Sequence, residues 1–335
     1  MEYQTFEISE FPLESGFVLP QARVAYQSYG RLNADKTNAV LLCSFYTGDH
    51  AGYDFLIGPD HCFDPDRYFV ISTNLFCNGL SSSPSNTPAP LGRGAFPPVS
   101  IRDNVRAQHA LVTQRYRLDT LAMVAGFSMG AQQAFQWAVS YPDMVERIAP
   151  WCGHAHTTPH TFVFLDGLEA ALKTDAAWSD GYYTEPPRLG LRAMARVAAG
   201  WPFSQAWYRK ELYKTLGYPT LHDFLIRFWE GFLLPHDAND LLGNSQTWKM
   251  HNVGSTPGFD GDYKKALGTI RARTVILPGE TDLYFPPEDS MEEAACIEHA
   301  ELKTIRSVWG HFAGIGLNPE DASFIDHAIS DCLAK

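Results

Sequence analysis

The sequence predicts an α/β protein in which an inserted helical cap covers a mostly parallel central sheet. Short β-like runs alternate with helical runs in the amino-terminal half, as in a sheet built from βα units. A long, aromatic-rich stretch without a convincing strand follows, and strand-like segments return only at Thr274. We therefore predict an α/β core over residues 1–153 and 255–335, and a helical cap, or lid, over residues 154–254.

The predicted strands of the first half are short and apolar. The later ones are apolar at nearly every position, as strands are when both faces of a parallel sheet are buried. A loop rich in serine, proline and asparagine, at 79–98, is predicted to lie on the surface or to line a site. The strands are predicted at 22–29, 39–45, 68–75, 121–125 and 145–151.

Two further strands and two helix starts complete the predicted core. Residues 274–279 and 302–309 are the predicted strands of the second half. Ser100 and Asp103 have the spacing of a helix-capping pattern, and Pro319 after an asparagine marks the start of the last helix.

The segment between the two groups of strands has helical periodicity, most clearly at 189–199 and 221–234. An insertion into a sheet of this kind covers the carboxyl edge of the strands, where ligand sites form. We therefore expect the cap to build the substrate pocket. The alternative is that its helices only extend the scaffold or form a contact between two copies of the chain.

A serine stands at the centre of the most informative motif. The pentapeptide from Gly126 to Gly130 has the pattern Gly-x-Ser-x-Gly, with Ser128 in the middle. It follows the predicted strand 121–125 and precedes the helix-like stretch 131–140, which is the context of a nucleophile elbow. The flanking glycines avoid clashes in this sharp turn. Ser128 is the predicted nucleophile, and the alternative is a buried serine in an ordinary strand-to-helix turn.

A serine hydroxyl needs a base, and the base needs an acid that orients it. Asp282, in the loop after a late strand, is the predicted acid, with Glu280 and Asp289 as nearby alternatives. His311, directly after the last predicted strand, is the predicted base. The chain order Ser, Asp, His is that of α/β-hydrolases, so the sequence predicts an α/β-hydrolase fold.

The oxyanion that forms when Ser128 attacks a carbonyl needs preorganised hydrogen-bond donors. One predicted donor is the backbone N–H of Met129, directly after the nucleophile. The other is expected in the loop after the strand at 39–45. Tyr46 is the predicted residue there, and Phe45 and Thr47 are alternatives because the sequence does not decide which amide points inward.

The composition excludes several classes of partner. A net charge of −12 argues against nucleic acid and anionic membrane surfaces. The amino-terminal residues do not resemble a signal peptide and no apolar run reaches transmembrane length, so we expect a cytoplasmic protein. The cysteines lack CxxC spacing and are predicted to be reduced thiols rather than a disulfide framework or a zinc site: Cys43, Cys62, Cys77, Cys152, Cys296 and Cys332. We expect no metal and no cofactor.

Several sequence blocks outside the elbow match a known family. They are YDFLIGP at 53–59, FDPDRYFV at 63–70, FPPVSIRDNVRAQ at 96–108, DLYFPP at 282–287 and, more loosely, GLRAMAR at 190–196. With these blocks and the Ser-Met-Gly elbow, the chain resembles the homoserine O-acetyltransferase family of α/β-hydrolases along nearly its whole length.

The resemblance implies roles for five residues. Ser128, Asp282 and His311 would be the catalytic triad, and Tyr46 and Met129 would supply the oxyanion amides. It also implies a ping-pong mechanism through an acyl-serine, and a homodimer joined through the cap.

Other positions depart from the family and bear on the substrate. Phe312 follows the triad histidine, where the acetyltransferases have an aspartate that holds the amino group of homoserine. Trp201 and Phe203 stand near the place of an expected tyrosine, and Tyr46 stands in the place of a leucine. Arg196 is retained and would meet a substrate carboxylate, or else form an ion pair within the cap. We predict that Arg196, Phe312, Phe203 and Trp201 contact the substrate.

A pocket without the ammonium partner should prefer a neutral ester, because losing a charge-paired hydrogen bond in a dry site costs about 2 to 5 kcal/mol. We therefore predict a carboxylic ester hydrolase that acts on short-chain, acetate-type esters. Its expected partner is a small-molecule ester.

Two other functions are alternatives. The first is an acyl-CoA-dependent O-acyltransferase, which would need basic residues for the CoA phosphates. The second is a metal-binding protein that uses His154, His156 and His160. The basic candidates for the first alternative are Arg188, Arg192, Arg209, Lys210 and Lys214.

Overall fold

The computed structural model describes residues 2–335, and an eight-stranded sheet forms its centre. The strands lie in the order β1-β2-β4-β3-β5-β6-β7-β8. β1 and β2 pair antiparallel, β2 and β4 pair antiparallel, and all other neighbours are parallel. The strands are β1 (Gln4–Pro12), β2 (Val18–Tyr29), β3 (Ala39–Cys43), β4 (Phe69–Thr73), β5 (Met123–Phe127), β6 (Arg147–Trp151), β7 (Arg273–Ile276) and β8 (Ala300–Leu302).

The central strands contribute apolar side chains to two hydrophobic cores, one on each face of the sheet. All five residues of β3 are buried, and so are those of β4 and β5. Successive side chains point to opposite faces, so Leu41 belongs to the buried cluster that contains Phe135, while Leu42 belongs to the one that contains Ile329. The predicted fold class, a mostly parallel α/β sheet, is confirmed.

The sheet differs from the prediction at its two edges. β1 was not predicted, because its alternating polar residues leave most of it exposed, as an edge strand permits. The last strand was predicted at 302–309 and is observed only at Ala300–Leu302, followed by a single bridge from Ile305 to Gly279. β7 is only four residues long, so β8 has few partners for hydrogen bonds.

Helices cover both faces of the sheet and fill the segment between β6 and β7. Ser100 caps α1 through a complete capping box with Asp103. The helices of the core are α1 (Ile101–Ala110), α2 (Met129–Ser140), α9 (Tyr263–Leu267), α10 (Pro287–Ala294) and α11 (Pro319–Ala334). Between β6 and β7 lie α3 (Pro159–Lys173), α4 (Arg188–Ala198), α5 (Gln205–Arg209), α6 (Leu221–Asp223), α7 (Gly231–Leu233) and α8 (Ala238–Lys249).

Two π-helical segments and five short 3-10 turns complete the backbone. One π-helical segment extends α1 over Leu111–Arg115, and the other joins α6 to α7 over Phe224–Glu230. The 3-10 turns are Asp54–Leu56, Arg93–Ala95, Leu212–Lys214, Val253–Ser255 and Gly310–Gly314. No helix within residues 2–335 has both the length and the apolar character needed to cross a membrane.

Candidate active site

Ser128 lies in a sharp turn between β5 and α2. Its φ of +56° is in a region that residues other than glycine rarely adopt. Its backbone N–H donates to the carbonyl oxygen of Trp151 at 3.0 Å. The turn needs glycine on both sides. A Cβ at Gly126 would lie 2.5 Å from the backbone of Gly130, and one at Gly130 would lie 2.2 Å from the carbonyl oxygen of Cys43. The chain therefore holds the serine where a strand ends and a helix begins.

The structure brings the three predicted catalytic residues together. His311 Nε2 lies 3.0 Å from Ser128 Oγ, and His311 Nδ1 lies 2.7 Å from Asp282 Oδ2. All three residues are at most 3% exposed. A carboxylate can only accept, so the Nδ1 hydrogen faces Asp282 and Nε2 is left free to accept the serine proton.

The loop after β7 holds the Asp282 carboxylate in a fixed orientation. Its Oδ1 accepts hydrogen bonds from the backbone N–H groups of Tyr284 at 2.8 Å and Phe285 at 3.1 Å. The two alternative acids lie elsewhere: the Glu280 side chain is exposed, and Asp289 faces a different histidine. Of the three carboxylates, only Asp282 contacts the base.

The segment between β6 and β7 holds the backbone of His311. The carbonyl oxygen of Pro202 accepts the His311 N–H at 2.7 Å. Gly310 has a φ of +63°, and a Cβ there would lie 2.3 Å from the same carbonyl oxygen. This close approach requires glycine before the histidine. The rings of Phe127 and Tyr284 pack at 4.5 and 4.8 Å from the imidazole and limit its rotation.

Free backbone amides lie beside the serine. Within residues 2–335, the N–H of Met129 has no acceptor, and it is the first N–H of a twelve-residue helix, where anions are favoured. The N–H groups of Phe45, Tyr46 and Thr47 likewise have no acceptor in the described part of the chain. The loop therefore offers three amides, and the choice of Tyr46 stays a prediction.

An apolar cavity of about 420 Å³ opens above Ser128 and His311. Helices between β6 and β7 build much of its wall, and apolar side chains dominate it. Among the described lining residues there is no lysine or arginine, and Asp49 carries the only carboxylate. The cap contributes Phe164, Leu168, Met194, Ala198, Pro202, Phe228, Trp229, Phe232, Leu233 and Trp248, and the core contributes Phe45, Phe127, Tyr284, Phe312, Ile315 and Leu317 among others.

Only one of the four predicted substrate contacts lines this cavity. Phe312 does so. Phe203 is fully buried behind Phe312, with ring centroids 4.8 Å apart, and Trp201 packs beside Phe164 outside the lining. The structure therefore does not bring Phe203 and Trp201 to the cavity, which is lined by Pro202 instead.

Arg196 forms the ion pair that the sequence left open as the alternative to a substrate contact. Its guanidinium forms a two-point ion pair with Glu230 Oε1, at 2.6 Å from Nη2 and 2.8 Å from Nε. Arg192 lies 3.5 Å from the other carboxylate oxygen of Glu230. Glu230 ends the π-helical segment, so this pairing ties two cap elements together and leaves Arg196 outside the cavity.

Sequence reasoning missed the aromatic residues of the π-helical segment. Phe228 and Trp229 line the cavity, and Trp229 stacks on Phe312 with ring centroids 5.8 Å apart and planes 17° apart. The segment had been predicted only as a helix. Two adjacent aromatic residues in an amphipathic segment were the available signal, but nothing in the sequence indicates which of them stacks on Phe312.

Several of the residues named for the two alternative functions have other partners. Of the basic candidates, Arg192 pairs with Glu230 and Lys214 pairs with Glu211. His154 is buried against Pro286, while His160 packs on Trp201 at the surface. In the described part of the chain, no group of three or more His, Cys, Asp and Glu side chains is arranged to hold a metal ion.

Comparisons with known proteins agree with this architecture. Residues 38–315 match the family described as alpha/beta hydrolase fold. The ethyl acetate hydrolase of Pseudomonas veronii is 36% identical over 336 residues, which covers 99% of this chain and 96% of the relative. The homoserine O-acetyltransferase of Trichormus variabilis is 31% identical over 338 residues, which covers 93% and 92%. The crystal structure of an acetylester hydrolase from Corynebacterium glutamicum is 35% identical, with a TM-score of 0.97, and covers 100% of this chain and 96% of that one.

The predicted fold and the predicted resemblance are confirmed by these matches. The predicted enzyme class, a carboxylic ester hydrolase, is confirmed as well, because the esterases are more similar to this chain than the acetyltransferase is. With an elbow serine at the carboxyl edge of a mostly parallel sheet and matches over nearly its whole length, the chain belongs to the alpha/beta hydrolase fold family, together with both esterases and homoserine O-acetyltransferases.

Proposed function

We propose that this protein hydrolyses short-chain, acetate-type carboxylic esters through an acyl intermediate on Ser128. The observation that carries the proposal is the continuous series of contacts from Asp282 through His311 to Ser128 at the floor of an apolar cavity. The substrates named for the two esterase relatives, ethyl acetate and acetyl esters, support the acetate class.

In the first half of the reaction, Ser128 Oγ attacks the ester carbonyl while His311 Nε2 takes its proton. Asp282 holds the Nδ1 hydrogen and stabilises the imidazolium that forms. The carbonyl oxygen becomes an oxyanion that accepts hydrogen bonds from the Met129 amide and an amide of the loop after β3, for which we propose Tyr46. Each such donor contributes roughly 3 to 4 kcal/mol to the barrier reduction.

Departure of the alcohol completes the first half and leaves the acyl group on Ser128. The bond between the carbonyl carbon and the alcohol oxygen breaks, and His311 gives its proton to that oxygen, so a neutral alcohol leaves. In the second half, water loses a proton to His311 Nε2 and attacks the acyl-serine. The bond between the carbonyl carbon and Ser128 Oγ then breaks, and His311 returns the proton to Oγ. The products are the carboxylic acid and free Ser128.

The cavity favours an ester over a charged acceptor. Phe312 presents a benzyl ring beside His311, where a carboxylate would be needed to pair an ammonium group. No lysine or arginine of the described lining residues is available for phosphates. Water is therefore the proposed acceptor rather than homoserine.

The decisive experiment follows acetate release from ethyl acetate by the purified protein and by Ser128→Ala. We expect Ser128→Ala to lose at least about a thousandfold in kcat, since only the oxyanion site and binding remain. Ser323→Ala is the matched control, because Ser323 also contacts a histidine, His327, at 3.3 Å, but on an exposed helix. Unchanged activity of Ser128→Ala, or faster acetylation of homoserine from acetyl-CoA than hydrolysis of ethyl acetate, would refute the proposal.

A cytoplasmic location and a homodimer through the cap are further proposals. The dimer is supported by exposed apolar side chains on α3 and α4, among them Val163 and Leu189. Light scattering should give twice the chain mass for the wild type and the chain mass for a Val163→Lys, Leu189→Lys double variant. A monomeric wild type would refute the dimer.

A further inference from the structure

The apolar surface next to His311 has a definite place in the reaction. We propose that Phe312, Trp229 and Phe228, here named the leaving-group wall, bind the alcohol portion of the ester, and that the preferred substrates are acetate-type esters of apolar alcohols larger than ethanol. This inference rests on the proposed function, because it needs the ester to react at Ser128.

The chemistry decides which part of the ester lies on the leaving-group wall. When the bond from the carbonyl carbon to the alcohol oxygen breaks, that oxygen must receive its proton from His311 Nε2. The alcohol oxygen must therefore lie within hydrogen-bond reach of the imidazole. Phe312 directly follows His311, with ring centroids 6.4 Å apart, so the carbon chain attached to that oxygen starts beside Phe312.

The leaving-group wall is backed by closely packed aromatic rings. Trp229 stacks on Phe312 at 5.8 Å, and Phe228 lies 6.4 Å from it. Behind Phe312, the fully buried Phe203 meets it edge to face at 4.8 Å and stacks on Trp207 at 3.8 Å. This packing holds the rings of the leaving-group wall in place before the ester binds, so these side chains lose little conformational entropy on binding.

The cavity continues beyond the leaving-group wall to solvent. Phe232 and Leu317 line the cavity and are also 41% and 37% exposed, which places them at its rim. The volume of about 420 Å³ lies within the range of roughly 300–1,000 Å³ that encloses drug-sized ligands. An ethyl group would leave most of this apolar surface uncovered, whereas a longer alkyl or aromatic alcohol would cover it.

The loop after β3, which carries the proposed oxyanion amide, is tightly packed where it borders the cavity. The Phe45 ring packs edge to face on Phe127 at 4.9 Å. A Cβ at Gly48 would lie 2.5 Å from the Phe45 ring, and one at Gly52 would lie 2.8 Å from it. The loop is therefore wrapped tightly around this ring and cannot easily move aside for a longer acyl chain. A small acyl group therefore fits beside the loop after β3, and a large alcohol fits against the leaving-group wall.

The test compares two ester series with the purified protein: ethyl, butyl and hexyl acetate, and ethyl acetate, butanoate and hexanoate. Burying one methylene corresponds to about a fourfold gain in affinity for the transition state. We expect kcat/KM to rise by more than tenfold from ethyl to hexyl acetate and to fall along the acyl series. A flat alkyl series, or a rise along the acyl series, would overturn this inference.

Two variants locate the effect. Trp229→Ala should lower the ratio of kcat/KM for hexyl acetate over ethyl acetate by at least about fivefold. Phe232→Ser, at the exposed rim where folding is not at stake, should lower it about twofold to fourfold. The control is Tyr182→Ala, an exposed cap aromatic outside the cavity lining, which should leave the ratio unchanged. Unchanged ratios in both Trp229→Ala and Phe232→Ser would overturn the assignment of the leaving-group wall.

The two proposals fail in different ways. If the wild type hydrolyses ethyl acetate through Ser128 but gains nothing from a longer alcohol, only the leaving-group wall is wrong. If none of the esters is hydrolysed, or if Ser128→Ala remains active on them, the proposed function itself is wrong.

Discussion

Two buried pairs of carboxylate and histidine lie at opposite ends of the segment 282–293. Asp282 contacts His311 at 2.7 Å, and Glu293 contacts His156 at 3.3 Å. Both carboxylates are almost completely removed from solvent. Only the first pair reaches a serine, because the imidazole of His156 instead stacks on the ring of Tyr263 at 3.9 Å. Burial and a histidine partner are therefore not enough to make a catalytic acid.

The two carboxylates also differ in how completely they are hydrogen-bonded. Asp282 accepts two backbone N–H groups besides the histidine. Glu293 accepts the N–H of Ala155 and faces His156 through Oε1, while its Oε2 has no partner within residues 2–335. Burial raises the pKa of Glu293 to about 7. A carboxylate held by several donors can keep one orientation as an anion, whereas one left short of donors favours its proton.

His154 contacts the middle of this segment, between the two carboxylates. Its Nε2 lies 3.1 Å from the carbonyl oxygen of Pro286 and 3.1 Å from Ser290 Oγ, and its ring meets Phe285 edge to face. Burial lowers the pKa of His154 to about 3, so the ring is neutral at ordinary pH. A carbonyl can only accept, which places the hydrogen on Nε2. His154 thereby fixes the backbone that donates to Asp282.

The first prediction separates the two pairs by activity. Asp282→Asn should lower kcat on the order of ten-thousandfold, because an amide at this position favours the wrong tautomer of His311. Glu293→Gln should stay within a few-fold of wild type in the same assay of ester hydrolysis. Glu280→Gln and Asp289→Asn test the alternative acids. If either variant lost as much kcat as Asp282→Asn, that residue and not Asp282 would be the acid that orients His311.

The second prediction separates the pairs by stability. The pKa of Glu293 is about 7 in the folded protein and 4.5 for an ordinary glutamate, so between these values the folded state binds more protons than the unfolded state. The contribution of Glu293 to the free energy of unfolding therefore falls as pH rises from about 4.5 to 7, by roughly 3 kcal/mol in total. Glu293→Gln should remove this decline and be more stable than wild type at pH 8.

Chemical denaturation at several pH values measures that difference. Glu292→Gln is the matched control, since the neighbouring Glu292 is exposed and pairs only with Lys264 at 3.2 Å. The control should follow the wild-type curve. If the free energy of unfolding fell equally with rising pH in Glu293→Gln and in wild type, the pH dependence would come from other groups.

The third prediction concerns His154, which holds the backbone that follows Asp282. His154→Leu should lower kcat about tenfold with little change in KM, because a lost hydrogen bond of about 1 to 1.5 kcal/mol loosens the backbone that holds Asp282. His154→Gln should restore most of kcat, since its amide nitrogen can take the place of Nε2. Equal losses in both variants, or a change confined to KM, would count against this positioning role.

The residues of the triad could be found from short stretches of sequence. Ser128 is marked by its glycines and by the strand and helix around it, and Asp282 and His311 are marked by their places after late strands. Parallel strands end at one edge of a sheet, so residues that follow them converge there. The same reasoning failed for the edge strands β1 and β8, whose polar or short segments lack the two-sided burial of the central strands.

Local pattern is therefore sufficient for the central strands of the sheet, the elbow and the order of the three reactive groups, because each depends on backbone conformations that a few neighbouring residues dictate. It is not sufficient for the cavity. Arg196, Phe203 and Trp201 were expected to face a substrate, yet one is held by Glu230 and two pack outside the lining, while Trp229 stands beside Phe312. Contacts between cap elements distant in sequence decide which aromatic ring faces inward, and helical periodicity carries no information about those contacts.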